Sequence, residues 1–407
     1  MDKSIALYIH IPFCETKCPY CDFNTYSGIE SVMPRYVKAL NLEITKWADW
    51  LDHPKLSSVF WGGGTPSYLP TRDVKQLMRT IDESFDVDSS IEQTIEANPG
   101  DCSRDRLQTM RKSGFNRISI GVQSFDDNEL LLLGRRHNSD QAITAVENSR
   151  DAGFDNISID LMFGLPNQYF STWAETLNTA INLDIEHTSA YALTLEKGTP
   201  LENDVRKGKL PEPDPDLAAE MYSHAQSLFI SNQMNQYEIS NWSRPCKESS
   251  HNLAYWKCMP YLGLGPGAHS YLYGSEQIDE FGIRFANLNS PKTYINRIHE
   301  WELGNKISYA SIRNAAAVDL CEKLDAPTAM SDTMMMGLRL NEGVSDLDFE
   351  KRFGINIPDA YPNATAECLE LGLVEWHNTY LQLTEYGRIL GNEAFMRFVG
   401  ETPKTLK

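Results

Sequence analysis

The chain has few cysteines, fewer basic than acidic residues, and no long apolar run. Eight cysteines in 407 residues are too few for the disulfide framework of a secreted protein, so we expect reduced thiols and a cytoplasmic location. The formal net charge of -19 argues against a broad phosphate-binding surface, so nucleic acid is not expected as a partner. No run approaches the roughly 18 apolar residues of a membrane span, and the first residues lack the pattern of a signal peptide. We therefore expect no membrane span, and at most peripheral contact with a membrane.

Three of the cysteines lie close together, directly after an apolar run at 5–11. Cys14, Cys18 and Cys21 are separated by three and two intervening residues. A structural zinc site is normally closed by four ligands, and a four-iron cluster also takes four, but no fourth Cys or His follows within a few residues. Three protein ligands leave one metal position open for a substrate or cosubstrate. The spacing therefore predicts a four-iron cluster with one open iron, and a zinc loop is the alternative.

This CxxxCxxC pattern resembles that of the radical S-adenosylmethionine (SAM) superfamily, in which the open iron takes the amino and carboxylate groups of SAM. The resemblance implies a [4Fe-4S] cluster held by Cys14, Cys18 and Cys21, with SAM as a second cofactor.

The first half of the chain repeats a unit in which a short apolar run is followed by a turn and a helical pattern. The predicted strands are 5–10, 59–62, 91–98, 117–122, 157–161 and 189–195. The predicted helices are 33–51, 71–85, 103–113, 138–152 and 172–183. Alternating βα units of this size indicate a parallel sheet with helices outside it. We predict an α/β fold, a partial (β/α)6 barrel of the TIM type, and a doubly wound sheet is the alternative.

Polar or glycine-rich motifs end successive predicted strands. They are GGGTP at 62–66, EANPG at 96–100, GVQSF at 121–125 and DLMFGLP at 160–166, and LGR follows at 133–135. In a barrel of this type the C-terminal ends of the strands form the mouth that holds the site. Glycines let a ligand approach the backbone closely, and an arginine can pair with a carboxylate. The motifs therefore predict a binding site at one mouth of the barrel.

Together with YIHIPFC at 8–14, these motifs are similar to those of the oxygen-independent coproporphyrinogen oxidase family, which includes a heme chaperone subgroup. The similarity covers nearly the whole chain. It implies SAM contacts at Tyr8, Tyr20, Gly63, Gly64, Thr65, Glu96, Gln123, Arg135 and Asp160. In that family pattern, Glu96 accepts a hydrogen bond from the amino group of SAM and Arg135 pairs with its carboxylate. Gln123 and Asp160 then bind the ribose or the nucleoside.

One position departs from the true oxidases of that family. They carry a further cysteine two residues beyond the last cluster ligand, where this chain has Phe23. Because the cluster needs only three protein ligands, its assembly is expected, whereas oxidase activity is not.

A second motif, HNxxYW at 251–256, matches the signature of the heme chaperone subgroup. The resemblance implies heme contacts at His251, Asn252, Tyr255 and Trp256. Histidine is a usual axial ligand of heme iron, and Tyr and Trp can stack on a porphyrin. The alternative is structural, with the two aromatic residues in the core and the histidine buried and hydrogen-bonded.

Two further residues near this motif are weaker candidates. Cys258 is a second candidate heme ligand. His269 ends a glycine-rich stretch at 261–269, which we expect to form a turn near the barrel mouth.

The rest of the chain does not repeat the strand–helix unit of the first half. The stretch 203–216 is expected to be a linker, followed by a helix at 216–231 and a strand at 237–242. Helices are predicted at 329–340, 346–353, 364–371 and 385–398, with a hairpin formed by 373–376 and 380–383. This pattern predicts a C-terminal α+β winged-helix-like domain that acts as a lid or partner-docking unit, since it is not basic. The methionines at 334–336 are expected in its core.

The chain is long enough for two or three domains. We expect a radical SAM partial barrel at 1–205, a barrel extension with the HNxxYW segment at 206–310, and the winged-helix-like domain at 311–407.

Two functions follow from the resemblance. The favoured one is a heme chaperone that holds the cluster, SAM and heme and delivers heme to hemoproteins, served by an electron donor. The alternative is a coproporphyrinogen oxidase of porphyrin biosynthesis that uses a 5′-deoxyadenosyl radical. The HNxxYW motif and Phe23 favour the first. A DNA-binding regulator is disfavoured by the acidic charge.

Overall fold

The computed structural model describes residues 4–273, 281–301 and 307–405. Its centre is six parallel strands that are neighbours in chain order. They are β1 (Ile5–Ile11), β2 (Leu56–Gly63), β3 (Glu92–Ala97), β4 (Arg117–Gln123), β5 (Ile157–Phe163) and β6 (His187–Ala192). A doubly wound sheet requires a reversal of strand order, and there is none between β1 and β6, so that alternative is wrong. The predicted α/β fold with a parallel core is confirmed.

Helices connect these strands. They are α1 (Met33–Trp50), α2 (Thr71–Ser84), α3 (Arg104–Lys112), α4 (Asp127–Leu132), α5 (Ser139–Asp151) and α6 (Phe170–Asn182), with short 3-10 helices at Glu30–Val32, Pro66–Tyr68 and Pro99–Asp101. The start of α5 is fixed by a capping box between Asn138 and Gln141. The sequence analysis missed α4, whose N-terminus is capped by the Asp126 carboxylate.

The two faces of the parallel strands have different chemistry. Successive side chains on a strand point to opposite faces. Ile95, Ile118 and Ile159 belong to the apolar face and are completely buried in the core with the helices. Residues of the other parity, such as Glu96 and Ser119, line cavities. The helix-covered face therefore stabilises the fold and leaves the opposite face free for ligands.

The chain continues with more elements that extend this sheet. They are α7 (Pro200–Arg206), α8 (Pro215–Ser231), β7 (Asn235–Glu238), β8 (Asn241–Ser243), α9 (Ser250–Trp256), β9 (Tyr261–Leu264), β10 (His269–Leu272), β11 (Ile283–Asn287), α10 (Pro291–Glu300), α11 (Tyr309–Arg313) and β12 (Val318–Lys323). The order in the resulting twelve-stranded sheet is β12-β11-β10-β9-β1-β2-β3-β4-β5-β6-β8-β7. Within the described residues this sheet is open, with β12 and β7 at its edges.

Three local predictions in this region are corrected. The predicted linker 203–216 begins inside α7 and ends inside α8, and the predicted strand 237–242 is the antiparallel pair of β7 and β8. The predicted turn 261–269 contains β9, which pairs in parallel with β1. A Cβ on Gly263 would lie 2.1 Å from the carbonyl oxygen of His269. Glycine is thus required by close strand packing there, and its low strand propensity concealed the strand.

A buried carboxylate ties α1 to the extension. Glu43 is completely buried and accepts hydrogen bonds from the Gly265 amide (2.8 Å), the Asn287 side-chain amide (2.9 Å) and the Tyr294 hydroxyl (2.6 Å). Burial raises the pKa of Glu43 to about 7, and these hydrogen bonds oppose the shift.

The last part of the chain forms a second hydrophobic core. Its elements are α12 (Ala326–Gly337), β13 (Val344–Ser345), α13 (Asp346–Phe353), α14 (Ile357–Ala360), α15 (Pro362–Glu370), β14 (Val374–His377), β15 (Tyr380–Leu383), α16 (Glu385–Ile389) and α17 (Gly391–Gly400). The predicted hairpin is confirmed and forms a small sheet in the order β13-β15-β14. The predicted last helix is two helices. Met334 is in the core as expected, whereas Met335 and Met336 are only partly buried and line a cavity. The three-domain division stays a prediction, although β12, placed after residue 310, pairs within the large sheet.

In the described ranges, none of the helices combines the length and the apolar character needed to cross a bilayer.

The raised pKa of Glu43 predicts a pH-dependent contribution to stability. Its folded-state pKa of about 7 lies above the ordinary value, so its contribution is complete below about pH 4.5 and is lost as the pH rises through 7. The expected loss is about 3 kcal/mol of unfolding free energy. Urea unfolding at about pH 5 and about pH 8 gives the difference in unfolding free energy between wild type and Glu43→Gln. The change of this difference with pH isolates the contribution of Glu43, because the titrations of the other groups cancel. An equal difference at the two pH values would show that Glu43 does not titrate in this range.

Candidate functional site

The loop that carries the three cysteines follows β1 and folds back on itself. The Tyr26 amide donates to the Pro12 carbonyl (2.8 Å), and the Cys14 amide donates to the Tyr26 carbonyl (3.0 Å). Cys14, Cys18 and Cys21 are free and partly exposed. All three line one cavity with an empty volume of about 760 Å³. The loop thus presents its thiols to a common space.

The glycine turn after β2 packs directly on this loop. The amides of Gly64 and Thr65 donate to the carbonyls of Ile11 (2.7 Å) and Phe13 (2.8 Å). Gly63 has φ +103°, and a Cβ there would lie 2.5 Å from the His10 ring. Glycine is therefore required, because only it permits this conformation and this approach.

The side chain of Thr65 in the same turn reaches a predicted cluster ligand. Its hydroxyl donates to the Cys14 sulfur at 3.5 Å. The turn thus supports the cysteine loop through its backbone and one cysteine through a side chain.

The LGR turn packs on the other side of the loop. Gly134 has φ +61°, and a Cβ there would lie 2.7 Å from the Pro19 ring. Arg135 donates through Nη1 to the Cys18 sulfur (3.4 Å) and the Tyr20 hydroxyl (3.4 Å). Its Nη2 donates to the Gly121 carbonyl (2.7 Å), and its buried Nε has no hydrogen-bond partner among the described residues. The guanidinium thus lines the cavity beside the cysteine loop.

Three further predicted SAM residues line the same cavity, on β3, β4 and β5. Burial, then the charge of Asp160, raise the pKa of Glu96 to about 8. Burial also raises the pKa of Asp160, which accepts a hydrogen bond from the Ser119 hydroxyl (3.3 Å). Gln123 has φ +72°, where the pairing of β4 with β5 shifts register. Such backbone strain clusters at functional sites.

The predicted residues do not all share this cavity. Tyr8 lies instead in a second cavity deeper in the barrel, and its hydroxyl is 3.1 Å from His10 Nδ1. Glu96, Ser119 and Asp160 line both spaces, so the two cavities meet.

The cysteine loop fits an iron–sulfur cluster better than a single ion. Burial raises the pKa of Cys14 and of Cys21, so a bound metal has to displace protons from these thiols. Among the described residues, no three His, Cys, Asp or Glu side chains are arranged to hold one metal ion. A [4Fe-4S] cluster does not require such convergence, since each thiolate binds a different iron.

The HNxxYW motif lies on α9, beside the N-terminal ends of the strands. Glu92, the first residue of β3, accepts hydrogen bonds from the Ser249 hydroxyl (3.2 Å) and from the amides of Ser250 (2.8 Å) and His251 (3.3 Å). A carboxylate at a helix N-terminus is favourable. The helix is therefore fixed at the barrel end opposite to the cysteine loop.

The imidazole of His251 is held on both sides. It is 1% exposed, with Nδ1 2.8 Å from the Ser58 hydroxyl and Nε2 2.9 Å from the Tyr255 hydroxyl. Burial, then the charge of Arg117, lower the pKa of His251 to about 3. The ring is thus neutral, and both nitrogens are already hydrogen-bonded.

The other residues of the motif face different neighbours. Asn252 and Tyr255 line the second cavity together with His251. Trp256 instead lies against Arg339, whose guanidinium carbon is 4.6 Å from the ring centre. The motif thus joins the barrel interior to the C-terminal module.

Neither weaker candidate ligand lines the cysteine cavity. Cys258 lines a third cavity between α9 and α12, and burial raises its pKa to about 11. His269 is exposed at the start of β10.

Comparisons with known proteins agree with this geometry. Residues 8–180 match the model of the radical SAM superfamily, and residues 324–390 match that of the HemN C-terminal domain. The heme chaperone HemW of Bacillus subtilis is 37% identical over 397 residues, which cover 97% of this chain and 99% of that protein. This chain belongs to the HemW family of radical SAM proteins. HemW of Lactococcus lactis is 32% identical and covers 98% of both chains.

A solved structure shows the same fold. Coproporphyrinogen III oxidase (HemN) of Escherichia coli superimposes with a TM-score of 0.81 over 98% of this chain and 90% of that one, at 23% identity. The superfamily implies SAM and a [4Fe-4S] cluster, and the cavity contains residues suited to both.

Sequence reasoning missed several inward-facing residues of the second cavity, namely Arg117, Ser119, Ser189 and Tyr191. The signal was present as alternation of polar with apolar residues along β4, in Arg117-Ile118-Ser119-Ile120. These residues lie before the C-terminal ends of the strands, so the strand-end motifs do not include them.

We expect SAM binding to release a proton from Glu96. Its pKa of about 8 leaves it largely protonated at pH 7, whereas the ammonium of SAM favours the carboxylate. Affinity should then rise about tenfold per pH unit well below pH 8 and level off near it. Calorimetry in two buffers of different ionisation enthalpy measures the proton release.

Two variants test this assignment. Glu96→Gln should abolish the proton release, and Glu147→Gln, at an exposed position of α5, should retain it. Proton release that persists in Glu96→Gln would assign it to another group.

Proposed function

We propose that this chain is a radical-SAM-type heme chaperone that binds a [4Fe-4S] cluster, SAM and heme and transfers heme to hemoproteins. One observation carries the proposal: the cysteine cavity meets a second cavity lined by His251, Asn252 and Tyr255 of the HNxxYW motif. The full-length similarity to two proteins named heme chaperone HemW supports it.

In this proposal the cysteine loop holds the cluster, which supplies the open iron and the electron for SAM. Cys14, Cys18 and Cys21 are its ligands. The SAM residues are Tyr8, Tyr20, Gly63, Gly64, Thr65, Glu96, Gln123, Arg135 and Asp160. Arg135 fits a carboxylate because its guanidinium lines the cysteine cavity. Glu96 fits an ammonium group because it faces the same cavity.

The HNxxYW residues are the proposed heme contacts. The neutral His251 has the form that binds iron, but its Nε2 lies at hydrogen-bond distance from the Tyr255 hydroxyl. Iron ligation therefore requires this contact to open. Trp256 contacts Arg339 of the C-terminal module, so the module is positioned to respond to movement of α9.

The remaining partners follow from this function. A chaperone with a reducible cluster needs an electron donor and acceptor hemoproteins, and we propose that it works in the cytoplasm. The C-terminal module, as a lid or docking unit, is the proposed contact for such partners.

The cluster assignment is tested by one substitution. After anaerobic reconstitution with iron and sulfide, we expect wild type to hold one [4Fe-4S] cluster and Cys18→Ala to lose the brown chromophore and the bound iron. Cys246→Ala, at an exposed cysteine outside the loop, is the matched control and should resemble wild type. Unchanged iron content in Cys18→Ala would refute the assignment.

We expect no conversion of coproporphyrinogen to protoporphyrinogen under reducing anaerobic conditions with SAM. Phe23, 66% exposed at the cysteine cavity, cannot supply the thiol that the oxidases have at this position. The E. coli oxidase serves as the positive control for the assay. Sustained product formation by this chain over many turnovers would favour the oxidase instead.

Heme binding by His251 is tested with a pair of variants. Heme should bind to wild type with a defined Soret band, which His251→Ala should shift while weakening binding. Tyr255→Phe removes only the hydroxyl that faces Nε2, so it should keep or strengthen heme binding. If both variants weaken binding equally, the motif acts through packing, and Cys258 becomes the next candidate ligand.

A further inference from the structure

The second cavity is a chamber inside the barrel. Tyr8 and Phe60 line one side, and Ser189 and Tyr191 line the other. The HNxxYW helix contributes to its wall near the N-terminal ends of the strands. Because Glu96, Ser119 and Asp160 belong to both cavities, a ligand group can extend into this chamber from the cysteine cavity.

A buried arginine lines this chamber. Arg117, the first residue of β4, is 2% exposed and lines the chamber. Its Nε is buried with no hydrogen-bond partner. In the described part of the chain its guanidinium makes no ion pair within 4.0 Å. A buried charge with no partner at ion-pair distance is costly, so this position fits an anion that binds closer to it than the carboxyl groups of the chamber.

Burial raises the pKa of Glu96 and of Asp160 across the chamber, and the charge of Arg117 acts against this rise, whereas the nearby histidines carry no charge. His187 lies between Ser158 and the Tyr237 hydroxyl, each 2.8 Å from a ring nitrogen. Burial, then the charge of Arg117, lower the pKa of this histidine well below its usual range. His251, bonded on both nitrogens as described above, is neutral for the same reasons. No histidine here adds or removes charge at ordinary pH.

The two carboxyl groups of the chamber have other roles. Asp160 accepts hydrogen bonds from the Ser119 hydroxyl, and its pKa is raised by burial. Glu96 is the proposed acceptor for the ammonium group of SAM. With SAM bound, Glu96 is engaged by its ammonium group, which leaves Asp160 as the carboxyl group of the chamber on which the charge of Arg117 acts, against the effect of burial on its pKa.

We propose that Arg117 is the receptor for a carboxylate that enters the chamber from the cysteine cavity. A guanidinium binds a carboxylate through two parallel hydrogen bonds. The identity of the carboxylate rests on the proposed function: it is a propionate of heme. The heme would then lie beside His251 and Tyr255. A free small carboxylic acid has the same chemistry and is the other source that the experiment distinguishes.

The test compares heme with heme dimethyl ester, in which both propionates are uncharged. Each is titrated by absorbance into wild type, Arg117→Gln, Arg117→Lys and the control Arg79→Gln, which changes an exposed arginine paired with Glu83 on α2. Wild type and the control should bind heme about 10- to 100-fold more tightly than the ester. Arg117→Gln should lose this difference, and Arg117→Lys should keep part of it, because charge remains without the fork geometry.

A second measurement does not depend on heme. Sodium propionate should raise the Tm of wild type above its value in sodium chloride of equal ionic strength, and Arg117→Gln should show no such increase. If Arg117→Gln does not fold, two comparisons on wild type still decide whether the protein binds a carboxylate. They are heme against its ester, and propionate against chloride.

The outcomes separate the two proposals. The assignment of Arg117 to a heme propionate is overturned if wild type binds heme and the ester equally. It is also overturned if Arg117→Gln prefers heme over the ester by the same factor as wild type. If propionate stabilises only wild type and no heme binds saturably, Arg117 is a receptor for a free carboxylic acid and the chaperone function fails. If heme binds saturably and propionate has no effect, the carboxylate receptor fails and the chaperone function stands.

Discussion

Close approach between glycine turns and the cysteine loop is the constraint on which the site depends. The turns after β2 and after α4 come from distant parts of the chain, yet both contact the loop where a Cβ would collide with it. A Cβ on Gly64 would meet the Phe13 carbonyl, and one on Gly134 would meet the Pro19 ring. Because the loop is clamped between two such surfaces, its thiols are directed into one cavity before any cofactor binds. Substituting these glycines would disturb the position of the cysteines without changing a ligand.

The sequence predicted best what depends on local pattern. The strand-end motifs converge on one cavity because parallel strands deliver their C-terminal ends to the same edge, which is a consequence of topology alone. Only Tyr8 among the predicted SAM residues lies apart, in the second cavity. The features that the sequence did not predict depend on packing between distant parts of the chain. Gly263 is in a strand because β10 approaches it, and no local signal reports that approach.

The HNxxYW motif shows why a sequence motif predicts where its residues lie better than it predicts what they do. Its spacing puts His251 and Tyr255 one helical turn apart, and they contact each other. The hydroxyl of Ser58 on the other ring nitrogen comes from β2, 193 positions away in the chain. The Ser58 contact can hold the ring while Nε2 binds iron. Geometry therefore adds a condition that the motif lacks, namely that Nε2 must leave its hydrogen bond with Tyr255 before it can ligate iron.

The anchoring of α9 has a thermodynamic consequence. One end of this helix is fixed to β3 through Glu92, and the other contacts the C-terminal module through Trp256 and through the ion pair of Lys257 with Glu342 (2.8 Å). A protein that docks on the module and shifts this helix changes the shape of the chamber beside His251. By linkage, a ligand in the chamber then alters the affinity for that docking protein by the same factor. In that case, ligand binding in the chamber and protein docking on the module share a single coupling free energy. The helix that transmits it, α9, has seven residues.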